Sequence, residues 1–179
     1  MRKIVSILLC AVMLMATATV KAQQKLDIGD QFAFAGLESA KLVPDGAREI
    51  SQPQIPDRSM DKPMHDVAFF YTGNNAEVIT VDQLNAFFAN VFAAVKAAAT
   101  DGKVYEKPYM GSTKLGNEMT EPKKNKKKAT GRMSCLYKHN GTCFIIDAEH
   151  DSQSRRFTKD YPEPYYGYCV KVQEYFIDE

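Results

Sequence analysis

The sequence predicts an α+β fold: an antiparallel sheet of about five strands with one long amphipathic helix packed on one face. Three observations predict it. A helical stripe runs through TVDQLNAFFANVFAAVKAAATDG, residues 80–102, and strand-like alternation fills the last third of the chain. Strand-like runs also stand on both sides of the helix instead of alternating with several helices, an order that suits a helix lying across an antiparallel sheet.

The chain opens MRKIVSILLCAVMLMATATVKAQQ. Two cations, an uncharged apolar run from Ile4 to Val20, and Val20-Lys21-Ala22 describe a secretory signal peptide cut after Ala22. The seventeen residues of that run approach the roughly 20 that span a bilayer, but small Ala and Thr residues crowd its end and a cut site follows, so a retained anchor is the weaker reading. Cys10 follows Leu8-Leu9, which does not suit lipoprotein processing. The expected location is therefore outside the cytoplasm, periplasmic or secreted. Removing 22 of the 179 residues leaves a length that fits one domain. It also takes away Arg2, Lys3 and Lys21 and no acid, so 20 basic residues remain against 22 acidic ones, a net charge of −2. Nothing in that balance points to nucleic acid, and no later run is long and apolar enough to cross a membrane.

Residues 23–64 are an N-terminal segment with little period; Phe32, Phe34 and Leu37, then Leu42 and Val43, suggest short strands interrupted by Gly29, Gly36, Pro44 and Gly46. SQPQIPDRSMDKP, from Ser51 to Pro63, is a proline-rich loop, because each proline fixes φ and removes a ladder donor. Residues 65–179 carry the α+β unit, one domain together with 23–64. HDVAFFY, residues 65–71, reads as a strand, with Ala76 to Thr80 as its short hairpin partner. Phe69 and Phe70 are adjacent, so they point to opposite faces and both faces need cover.

For the helix, Thr80 and Gln83 form a capping box and Gly102 supplies a left-handed stop. Val81, Leu84, Phe87, Phe88, Val91, Phe92, Val95 and Ala98 fall within one arc of about 140° at 100° per residue. Ala86, Ala89, Ala93 and Ala97 line the back, where helix propensity explains them and a homo-oligomer contact is the sharper alternative. Lys103 to Tyr109 reads as an extended piece, and residues 111–131 as a mobile loop or long hairpin connection carrying the basic run Lys123, Lys124, Lys126, Lys127 and Lys128.

The last third predicts a three-stranded meander over residues 131–138, 142–149 and 167–177. Asn140-Gly141 is a type I′ turn signal, since both residues tolerate positive φ. Taking it as the loop sets His139 opposite Thr142, Tyr137 opposite Phe144 and Cys135 opposite Ile146. Cys135, Tyr137, Phe144, Ile146 and Ala148 then share one side, and Cys143, Ile145, Asp147 and Glu149 the other.

That alternation puts Cys135 and Cys143 on opposite faces and weakens both a bond between them and a common metal site. No metal and no cofactor are expected. Export favours one disulfide among Cys135, Cys143 and Cys169. The register selects Cys143–Cys169, with Cys135 a buried inert thiol. No catalytic site is expected either: G-x-S-x-G, a phosphate loop, a dinucleotide fingerprint and C-x-x-C are all missing. The alternative is an exported hydrolase using Asp147, Glu149 and His150, as a carboxylate pair with a histidine would allow. Tyr161, Tyr165, Tyr166 and Tyr168, set among Pro162 and Pro164, are the candidate recognition residues for a protein or glycan partner. The functional expectation is a small exported domain that binds and does not catalyse.

Overall fold

The computed structural model describes residues 26–47, 49–51, 67–71, 79–109, 112–151 and 167–178. The expected signal peptide at 1–22 and nearly all of the proline-rich loop lie outside them. The molecule is α+β with an antiparallel sheet. Its strands are β1 (Glu49–Ser51), β2 (Val67–Tyr71), β3 (Val104–Glu106), β4 (Gly131–His139), β5 (Thr142–Asp151) and β6 (Gly167–Tyr175), in the spatial order β1-β2-β6-β5-β4-β3. Among the described residues the sheet has six strands where about five were expected, and Glu49–Ser51, paired with β2, is the unexpected one.

The centre of the sheet is the hairpin β4–β5. Asn140 at φ 50° and Gly141 at φ 83° make the turn, and the register runs from His139 opposite Thr142 to Gly131 opposite His150, as the turn dipeptide dictates. β6 follows antiparallel to β5, with Ala148 opposite Val170. β2 lies beyond β6, Val67 opposite Lys171, with β1 on its other side; residues 76–78 of its expected hairpin partner lie outside the described residues. Of that expected partner strand, Ile79 and Thr80 are described, and Thr80 is the helix cap.

Helix α2 (Val81–Ala98) follows a four-residue helical turn, α1 (Ser39–Leu42). Thr80 Oγ1 accepts from Gln83 N at 3.1 Å and Gln83 Oε1 accepts from Thr80 N at 2.7 Å, the full capping box. The helix stops at Ala98; Gly102, at φ 68°, closes the turn after it and donates to Ala99 O at 3.0 Å. Leu84, Phe87, Phe88, Val91, Val95 and Ala98 join Met133, Cys135, Tyr137, Phe144, Ile146, Tyr168, Val170 and Val172 in one buried cluster. Phe87 meets Tyr168 edge-on with centroids 4.6 Å apart. Ala86, Ala89, Ala93 and Ala97 are exposed.

The expected short strands at Phe32–Leu37 and Leu42–Val43 are helical turns instead. A 3₁₀ turn at Ala33–Ala35 ends on Gly36 at φ 71°, and the buried Ser39 hydroxyl accepts from Phe32 N at 3.1 Å. These bonds satisfy the backbone locally, so no ladder partner is needed. Gly36 also lies under the His139 ring, where an added Cβ would meet ring atoms at 2.3 to 2.6 Å. Tyr137 donates to Ala35 O at 3.0 Å, and His139 Nδ1 lies 2.7 Å from Ala98 O, among the last carbonyls of α2.

The polar stretch before β4 is held by backbone bonds that its composition hides. Glu106 N donates to Asn117 O at 2.8 Å and Met119 N to Val104 O at 2.7 Å, adding a rung outside β3. Asn85 and Asn125 exchange two bonds, Asn85 Nδ2 to Asn125 O at 3.0 Å and Asn125 N to Asn85 Oδ1 at 2.9 Å. The lysine run is thereby tied to α2 at its middle residue.

Candidate functional site

Asp147 stands in the middle of β5 on the face opposite that of Phe144, Ile146 and Ala148. Its cross-strand neighbours are Ser134 on β4 and Lys171 on β6, so three side chains lie in one row across three strands. Arg132 is one diagonal step away on β4, and Lys107 arrives from the residue after β3. Lys107 Nζ lies 3.0 Å from Oδ2 and 3.4 Å from Oδ1; Arg132 Nη2 lies 2.7 Å from Oδ2; the Ser134 hydroxyl donates to Oδ1. The Asp147 side chain is 8% exposed, against 28% for Lys107 and 47% for Arg132. A buried carboxylate thus sits under cations that reach solvent.

Burial pushes the Asp147 carboxyl up, but the hydrogen bonds from Ser134, Lys107 and Arg132 outweigh it and hold the group below the usual carboxylate range. Lys171 is lowered, first by burial; Asp147 raises it, while Lys107 and Arg132 repel its charge. The same face contains Leu136 and Ile145, both fully buried. It is covered at those two residues, while Lys107 and Arg132 at its edge reach solvent. Part of that edge is closed where Tyr175 Oη donates to Ser112 O at 2.7 Å and Asp178 N to Thr113 O at 3.2 Å.

The structure brings Asp147 and Glu149 to one face and sets His150 on the other. His150 is 3% exposed with its ring 4.6 Å from that of Tyr168, on the side of Phe144, Ile146 and Ala148. The sheet therefore lies between the histidine and the two acids. Tyr168 is likewise corrected as a recognition residue: it is 2% exposed, and burial, then the charge of Asp45, pushes its hydroxyl up to about 12. Tyr161, Tyr165 and Tyr166 fall outside the described residues.

The expected Cys143–Cys169 disulfide is also corrected, since no disulfide joins Cys135, Cys143 or Cys169. Cys143 stands opposite Tyr175 and Cys169 opposite Glu149, six residue steps apart along β5, or roughly 20 Å. A bond needs Cα atoms within about 7 Å. Cys135 lies in the core, its thiol pushed up to about 12 by burial and then by the Asp147 charge, which makes it a poor nucleophile. Phe176, within the strand expected over 167–177, comes after the end of β6 and is 66% exposed.

Lys107, Arg132, Ser134 and Lys171 are the residues that sequence reasoning missed. Extending the Asn140-Gly141 register six rows places Ser134 opposite Asp147. Lys107 has no such signal. Comparison of the chain with family models, with curated proteins and with solved structures gives no match.

Proposed function

We propose that this chain is an exported, non-catalytic binding domain, periplasmic or secreted, that recognises an anionic group on a protein or glycan partner. In this reading one long helix lies across a sheet face as the scaffold, and the opposite face presents the ligand site. The observation that carries it is the state of Asp147. Its carboxylate is buried, depressed in pKa and engaged by Ser134, Lys107 and Arg132. A general acid or base at neutral pH needs the reverse shift and a free oxygen within reach of substrate. Held as it is, the carboxylate orders two cations, Lys107 and Arg132, on its solvent side. Location outside the cytoplasm is supported by the basic, apolar and small-residue order of the first 22 residues.

The test has two readings. Intact mass of the protein recovered from the exported fraction should show the chain beginning at Gln23. A panel of chromogenic esters, glycosides and peptides should show no hydrolysis that Asp147→Asn removes. A hydrolytic activity abolished by Asp147→Asn or Glu149→Gln overturns the binding reading, and a chain confined to the cytoplasm overturns the location.

A further inference from the structure

Two cations from separate parts of the fold hold one carboxylate, and a third stands opposite it in the register. Lys107 comes from the end of β3, Arg132 from β4 and Lys171 from β6, so their meeting is a product of the tertiary register and not of a local charge run. The charges do not balance. At the carboxylate itself Asp147 meets two cations, Lys107 and Arg132, with a third, Lys171, opposite it in the register; Glu149, opposite Arg132, is the next acid along this largely covered face. A surplus cation on such a face is costly unless an anion joins it.

The donors do not balance either. A guanidinium has five N–H groups and an ammonium three. Asp147 engages Nη2 of Arg132 and the ammonium of Lys107. Among the described residues the Lys171 ammonium makes no ion pair. The donors left over belong to side chains that are partly exposed, above a carboxylate that is not. We infer that Lys107, Arg132 and Lys171 form a subsite for a phosphate group, with Asp147 and Ser134 as positioning residues beneath it. A planar carboxylate ligand has two oxygens and is satisfied by one arginine fork, whereas three donors approaching from three strands suit the tetrahedral oxygens of a phosphate. Asp147 pre-orders the cations, so little side-chain freedom is left to lose when the anion arrives.

This inference rests on the binding reading above and names its ligand class. Its test is a titration of the protein, as its own cells deliver it, with inorganic phosphate and with glucose 1-phosphate, followed by calorimetry at low ionic strength. One saturable site is expected. Arg132→Gln and Lys171→Gln should each weaken it about tenfold or more, the loss of one charge-assisted hydrogen bond. Arg132→Lys, which keeps the charge and drops the fork, should fall between these variants and the unaltered protein, and it serves where Arg132→Gln does not fold. The pair Lys124→Gln and Lys127→Gln, taken from the exposed run, should leave affinity within about twofold if the subsite is specific. Equal binding of both probes means that a free anion is the ligand; preference for the sugar phosphate means that the phosphate is carried on a larger molecule. No saturable binding of either probe, or equal losses from the run variants and Arg132→Gln, overturns the subsite. Failure here without hydrolysis leaves the binding reading in place, while hydrolysis lost in Asp147→Asn removes the reading beneath it.

Discussion

Asp147 shows how three hydrogen bonds decide a residue's chemistry. Desolvation alone would make it a raised, acid-like carboxyl; Ser134, Lys107 and Arg132 reverse the sign. Because its folded pKa lies below its unfolded value, its stabilisation is complete above about pH 4 and is lost as pH falls through the depressed folded value. Asp147→Asn keeps the shape and removes the charge, leaving three cations facing one another. Chemical denaturation at pH 7 should show a loss of about 3 kcal/mol, the range for breaking a buried pair on one side. The variant should also lack the part of the acid transition below about pH 4 that Asp147 supplies in the unaltered protein. An unchanged acid limb would mean that the carboxylate is not held as described.

Among the elements, α2 and the β4–β5 hairpin were legible because each carries its instructions within a few residues. Thr80 and Gln83 mark the start of the helix, its stripe marks the buried face, and Asn140-Gly141 fixes nine paired rows. Thr80→Ala should cost about 1 kcal/mol of stability by removing one arm of the box, measured by thermal unfolding. The N-terminal turns were not legible, since the bond from Phe32 N to the Ser39 hydroxyl and the fit of Gly36 under His139 depend on partners that a periodicity reading cannot see. The order of residues 117–125 was hidden for the same reason: it comes from backbone groups and from Asn85, forty residues away. Asn85→Ala should free the lysine run. Limited trypsin digestion should then cut between Lys123 and Lys128 several times faster while the helix signal in circular dichroism stays constant.

For the whole molecule, the α+β class followed from element order, while the position of the candidate site did not. Register within one hairpin can be read from its turn, but the neighbour of β6 is β2, about a hundred residues earlier, and no local pattern announces it. The cations around Asp147 needed both β3 and β6 in place. The exposed Ala86, Ala89, Ala93 and Ala97 leave α2 a smooth outer surface on which a second copy can approach closely. Light scattering across a concentration series should return a mass above that of one chain if that surface pairs, and substituting Ala89 by glutamate should return the single-chain mass. A constant single-chain mass removes the oligomer.

The hydroxyl of Tyr137 grips the carbonyl of Ala35 across 102 positions, and Val67 waits for Lys171. Such closures demand long loops before any reward, which slows the final assembly. A ribosome making this polypeptide from its amino end therefore releases an opening segment with no seat until the closing strand has emerged. In the exported reading proposed above, in which the chain is threaded through a narrow pore, that delay keeps the thread slack.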